Sequence, residues 1–331
     1  MKKIFISLFL VCLLLTGCGN YNQNSIIKDL SKKISKGDGY QLAGKLSVNH
    51  NDEVYNYDVS VSYQKDDNYK VSLTNESNNH TQIILKNSDG VFVLTPSLNK
   101  SFRFQSDWPY NNSQVFLLNA LIRDIKNDSK RTFSKKDNSF IFNTKVHYPN
   151  NNKLSTQKIV LQKNLKPTKV IVYDNDGVEN MSMVFTKVDY SPNFSKEEFE
   201  VDSIVNLDEN IDKTEKTSSL EDIVYPLFIP SGTKLVEEKK IKKDNGERVI
   251  MSYDGEKSFL LVEETVDVFN EFTIIPTSGE PFFLMDTMGV VTDNSLSWES
   301  GGIEYYLVSD VMSQEELVEI AQSISGIVSM K

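Results

Sequence analysis

The sequence predicts an α+β protein: a long antiparallel sheet with helices over one face, followed by a smaller α+β module. Three observations predict it. Apolar and polar residues alternate at a period of two through most of 40–104 and 132–187. Two stretches, 25–36 and 113–127, switch to helical spacing. Between 202 and 220 the pattern lapses into acidic, polar sequence, and further strands and a last helix follow it.

At the start of the chain, Lys2 and Lys3 precede an apolar run over 4–15 that is too short for a comfortable membrane span. Small residues then lead into Leu15-Thr16-Gly17-Cys18. This is the grammar of a secretory signal, with Cys18 where an ordinary signal carries its last small residue. It resembles a bacterial lipobox. An uncleaved anchor, or a plain secretion signal with a chance cysteine, accounts less well for the length, the flanking charge and the cysteine position together. The resemblance implies acylation of Cys18, cleavage before it, and a mature chain lipid-anchored on the extracytoplasmic face of the cell membrane. Two or three acyl chains hold a protein there stably, whereas one does not. The expected division is a lipoprotein signal peptide over 1–17, a tether over 18–24, a main domain over 25–202, a linker over 203–222 and a C-terminal domain over 223–331.

Composition narrows the function. With 331 residues, 39% of them hydrophobic, the chain can bury a true core. A formal charge of −10 and no long basic run argue against nucleic acid as a partner. Cys12 lies in the segment to be removed and Cys18 is consumed by lipid, so no thiol remains for a disulfide, a nucleophile or a metal.

The elements follow in order. Ile26, Ile27, Leu30 and Ile34 predict an amphipathic helix over 25–36, stopped by Gly37-Asp38-Gly39. Strands alternate over 40–48, 55–63 and 69–73, and two more flank the tight-turn signal Asp89-Gly90. Ser113 is the expected N-cap of a second helix, with Val115, Leu118, Ile122 and Ile125 as its stripe. Strands resume at 139–146, 157–162, 168–173 and 181–187. Asp174-Asn175-Asp176-Gly177 suggests a calcium loop, but the later glutamate of an EF-hand is missing, so a hairpin turn is the better reading. In the last module, strands are expected near 234–240, 248–253, 259–266 and 303–308. Ser313-Gln314-Glu315-Glu316 is a capping box before a closing helix that buries Leu317, Ile320, Ala321 and Ile324.

No catalytic constellation assembles. His50, His80 and His147 are the only histidines, and none has metal-ligand spacing. No nucleophile elbow or phosphate loop is present. Glu237-Glu238 and Glu263-Glu264 are adjacent on strands, which sends their carboxylates to opposite faces. The expectation is a protein that is not an enzyme, with no cofactor and no metal. What remains is the apolar face of the sheet, either a filled sandwich or a curved sheet over a cavity. The candidate ligand-binding residues on it are Leu46, Val61, Tyr69, Val71, Phe92, Phe142 and Val172.

The order lipobox, helix, strands, helix, strands over 25–202 resembles the LolA/LolB lipoprotein-carrier fold. The resemblance rests on the stretch from Asn87-Ser88-Asp89-Gly90 through Val91-Phe92-Val93-Leu94-Thr95-Pro96. It rests also on Lys166-Pro167-Thr168-Lys169-Val170-Ile171-Val172-Tyr173-Asp174, the return over 181–185 and the closing Phe199-Glu200-Val201. It implies a strongly curved, unclosed barrel covered by helices, with an interior that takes acyl chains. One departure stands out. Carriers place a basic residue, usually Arg, shortly before the aromatic that opens the third strand; in Lys65-Asp66-Asp67-Asn68-Tyr69 the aromatic is kept, but the Arg is absent and two acids are present. A shuttle is also not itself lipidated, so the chain looks more like the tethered LolA-like lipoproteins of spore-forming Gram-positive bacteria, some linked to sporulation or germination. Residues 223–330 resemble a small domain also found on extracytoplasmic parts of sigma-factor regulators. The expected partners are the membrane, through lipid on Cys18, and either a hydrophobic ligand such as a lipid or an envelope protein. Alternatives are a scaffold that activates or localises a wall or cortex hydrolase, and a wall-acting enzyme.

Overall fold

A computed structural model describes residues 21–50, 53–206, 220, 222–244, 246–269, 271–284 and 287–328. Cys18, its signal segment and most of the expected linker lie outside these residues.

Helix α1 (Gln23–Lys36) begins at Asn22, whose side-chain oxygen accepts from the Ser25 amide at 3.0 Å. Its stripe of Ile26, Ile27, Leu30 and Ile34 is buried. Six strands then form an antiparallel meander: β1 (Gly39–His50), β2 (Glu53–Gln64), β3 (Asn68–Asn75), β4 (Thr81–Asn87), β5 (Gly90–Thr95) and β6 (Lys100–Phe104). After α2 (Leu118–Asn127) come β7 (Thr132–Lys136), β8 (Ser139–Lys145), β9 (Leu154–Gln162), β10 (Pro167–Asp174) and β11 (Glu179–Asp189). Strand β11 pairs back onto β1, which joins the two meanders into one sheet. The period-two pattern becomes inside and outside: Tyr57, Val59 and Val61 are buried, while Asn56, Asp58 and Ser60 face solvent.

Strands β4 and β5 break that rule for a physical reason. Ile84, Val91 and Val93 join the main core under α1 and α2. Ile83, Leu85, Phe92 and Leu94 face the other way, onto Phe199 and Ile204. Those two come from a 3₁₀ turn (Lys196–Phe199) and the short helix α3 (Val201–Asn206). Burial on both faces explains the unbroken run Val91-Phe92-Val93-Leu94.

Helix α2 starts at Leu118, five residues beyond the expected cap, and carries no side-chain cap. Ser113 serves elsewhere. The fully buried Tyr40 hydroxyl lies near the Leu118 and Asn119 amides at the start of α2 but outside hydrogen-bonding geometry.

The second sheet runs in the order β12 (Thr233–Lys243), β13 (Gly246–Gly255), β14 (Phe259–Thr265), β19 (Ile303–Val308), β18 (Ser295–Ser300), β17 (Met288–Val291) and β16 (Glu280–Phe283). Helix α4 (Gln314–Val328) packs on it through Leu317, Ile320, Ala321 and Ile324, all fully buried. Its capping box forms as expected: the Ser313 amide donates to Glu316 at 2.8 Å, and the Glu316 amide donates to Ser313 Oγ at 3.3 Å.

The two lobes interlock. Strand β15 (Thr273–Thr277) comes from the C-terminal part but lies parallel to β6 in the first sheet. The first sheet therefore has twelve strands, ending at β15 and β7, which do not meet. The α+β, unclosed architecture expected from the sequence is the one observed. Buried Gln82 on β4 then clamps the other lobe: its Oε1 accepts from the Met288 amide at 2.6 Å and its Nε2 donates to the Met288 carbonyl at 3.3 Å. Replacing Gln82 with Leu should leave the buried Met288 amide without its acceptor and lower stability by about 1–3 kcal/mol. Urea unfolding checks this, and an unchanged midpoint would show that the amide anchors nothing.

Candidate functional site

A cavity of about 790 Å³ lies between the first sheet and the C-terminal lobe. That volume is within the range of small-molecule sites. Three groups of residues wall it. Leu46 and Val48 on β1, Ile84 on β4, Leu154 on β9 and Met181 on β11 form the sheet side. Trp108, Val115 and Phe116 come from the stretch between β6 and α2. Phe282, Phe283, Leu284 and Met288 reach in from the second sheet, with the Phe283 ring edge-on to Tyr57 at 5.3 Å. The rim is polar and includes His50, Glu53, Lys153, Asp174 and Glu179. It opens to solvent beside Val54 and Val178, which are 57% and 60% exposed.

Of the residues expected to bind a ligand, Leu46 lines this cavity. Val61, Tyr69, Val71, Phe142 and Val172 belong to the same apolar core, packed by their neighbours and away from the opening. Phe92 stands on the opposite face of the sheet, against Phe199. Tyr69 supports the wall from behind: its ring meets Trp108 edge-on at 5.8 Å and its hydroxyl accepts from Asn119 Nδ2 at 2.8 Å. Sequence reasoning missed Trp108, Phe282 and Phe283. The available signal was large aromatics in stretches with no period, which a folded protein must bury somewhere.

The stretch that departs from the carrier pattern has a structural job. Asp66 and Asp67 take left-handed φ of 69° and 72°. The Asp67 carboxylate accepts from Lys86 at 2.8 Å and from the Tyr110 hydroxyl. Lys86 also lies 4.6 Å from the Tyr110 ring centre and donates to the Trp108 carbonyl at 2.7 Å. Acid and lysine together thus pin the loop that carries Trp108.

One serine, one aspartate and one histidine do come close together. Buried Asp124 accepts from Ser113 Oγ and from Gln157 Nε2, each at 2.8 Å. Ser113 Oγ in turn accepts from the backbone amide of His147 at 2.9 Å. The imidazole does not stand between hydroxyl and carboxylate, so the set ties β8's end to α2 and is not arranged as a nucleophile and base. Burial raises the Asp124 pKa, opposed by Ser113, Arg123, Gln157 and His147. A carboxyl with a raised folded pKa favours the fold while protonated and withdraws that stability as the pH climbs from its ordinary 3.8 through the raised value. Asp124→Asn should therefore match wild type in acid and become relatively more stable toward neutrality. Thermal melts across that range check the sign.

Asp174 Oδ1 accepts from the amides of Asp176 and Val178 at 3.0 and 2.8 Å, which makes 174–177 the expected hairpin turn between β10 and β11. Glu263 and Glu264 split across the sheet: Glu263 is buried and accepts from the Val224 amide, whereas Glu264 pairs with Lys243 and Arg248. Among the described residues, no group of three His, Cys, Asp or Glu side chains is placed to hold a metal.

Compared with models of known families, the chain matches none. Solved structures with similar folds include Pseudomonas aeruginosa MucB in complex with MucA, at a TM-score of 0.32 and 10% identity over 92% of this chain and 96% of that one. They also include the Clostridioides difficile CwlD amidase in complex with the GerS lipoprotein, at 0.31 and 18% over 53% and 96%. A LolA superfamily protein from Nitrosomonas europaea aligns at 0.30 and 13% over 54% and 97%. Scores this low lend no weight to any functional transfer. Sequence similarity is another matter: "Sporulation protein YdcC" of Bacillus subtilis (strain 168) is 38% identical over 330 residues, covering 98% of each chain. Identity of that extent, running through both lobes, places this chain in the family of sporulation protein YdcC.

Proposed function

We propose that this chain is a lipoprotein of the cell envelope, tethered through Cys18 to the outer face of the cell membrane. Its cavity takes up an apolar ligand such as an acyl chain, and it acts by binding and without catalysis. The process it serves is sporulation, the one named for its Bacillus relative. The observation that carries this reading is the cavity itself, with apolar walls drawn from three separate parts of the chain. Apolar wall left in contact with water costs free energy that an acyl chain lying against it would recover. Native mass spectrometry of the full chain, purified from its source and then exposed to added lipids, tests it. A chain that carries no bound mass and takes up none would overturn the reading.

A second reading, a scaffold that localises or activates an envelope protein such as a wall or cortex hydrolase, draws on one observation. Leu227, Phe228 and Ile229 are 78%, 43% and 38% exposed in one run, and Val236 of the outermost strand β12 is also exposed. Large apolar groups grouped on a surface mark contact sites. Crosslinking in intact sporulating cells, with Leu227→Asp as the control, tests this; identical partners from both proteins would count against that surface.

A further inference from the structure

The cavity's rim selects among head groups. Its lining sets three carboxylates, Glu53, Asp174 and Glu179, against one ammonium, Lys153. That ammonium is turned toward Glu319 on α4, at 2.6 Å. Lys169, behind the lining, comes no nearer to Glu179 than 3.9 Å. At His50, burial and then Lys153 lower the pKa against the pull of Glu53, which disfavours its cation. Interspersed among these charges are primary amides from separate segments: Gln114, Asn150, Asn151 and Gln322. An amide both donates and accepts, which matches a hydroxyl group.

We propose that the site takes an amphiphile with an uncharged, hydroxyl-bearing head, such as an acylglycerol or glycolipid, and turns away carboxylate and phosphate heads on the same chain. The inference rests on the apolar-ligand reading above. An anionic head at this rim would lose its hydration and face like charges beside a low-dielectric wall, so each carboxylate would repel it.

The test uses the full chain with Trp298→Phe, which leaves Trp108 in the cavity wall as the sole tryptophan. Two chain-brominated probes, monododecanoylglycerol and dodecanoate, are titrated while Trp108 fluorescence is followed. The neutral probe should quench at a concentration at least about tenfold lower, because the anion meets the rim's charges at short range. Adding Glu179→Gln should strengthen dodecanoate binding about fivefold and so narrow the gap between the two probes. Dodecanoate binding as tightly as the ester would overturn the head-group inference while leaving the ligand reading intact. Quenching by neither probe would instead overturn the ligand reading itself, so the two failures are distinct.

Discussion

Replacing Trp108 with alanine should lower stability by about 3–5 kcal/mol. The indole is 1% exposed, and its ring meets Tyr69, which in turn packs on Tyr63 at 4.8 Å. Its backbone is held as well, the amide donating to Ser106 Oγ at 2.9 Å and the carbonyl accepting from Lys86. Fixed backbone on both sides of the residue limits collapse into the vacated space, which puts the loss at the upper part of that range. Trp108→Phe should recover much of the loss by restoring an edge-on aromatic contact with Tyr69. Chemical denaturation of the three proteins checks the order. An alanine variant as stable as the phenylalanine variant would mean that the aromatic cluster contributes little.

Replacing Cys18 with serine should move the protein almost wholly out of the membrane fraction. The expected effect is large because anchoring is carried by acyl chains, each contributing about 0.8 kcal/mol per buried methylene, and the acidic chain gains nothing from an anionic bilayer. Folding should be unchanged, since the described elements begin with the cap at Asn22. Fractionation together with far-ultraviolet circular dichroism measures both halves of this expectation. A serine variant that stays membrane-bound would refute the lipobox reading.

Local rules were legible where local physics decides the outcome. The α1 stripe, the hairpin at 174–177, the capping box at Ser313 and the buried face of α4 depend on residues three or four apart, and all appear as expected. Ser113 shows the limit. Its identity fits an N-cap, but a buried Asp124 eleven residues onward claims its hydroxyl. Residues 273–291 gave no strand signal, because β15 and β17 are short and take their register from partners in the other lobe and across a hairpin. The same holds for the cavity. Leu46 could be named from alternation, whereas Trp108, Phe282 and Phe283 lie in stretches with no period and are brought to one place by tertiary contacts alone.

The parallel seat of β15 beside β6 also has a consequence in time. Strand β6 finishes at Phe104, yet the strand that covers its outer edge is not made until 273–277. As the chain emerges, an unpaired row of amides and carbonyls stays open to strangers for more than half of synthesis. The opposite edge is guarded from the start, since β7 ends in the exposed lysines Lys135 and Lys136. Premature termination between the two lobes would therefore leave a product with one sticky flank, prone to self-association, whereas the finished chain closes that flank with its own later strand.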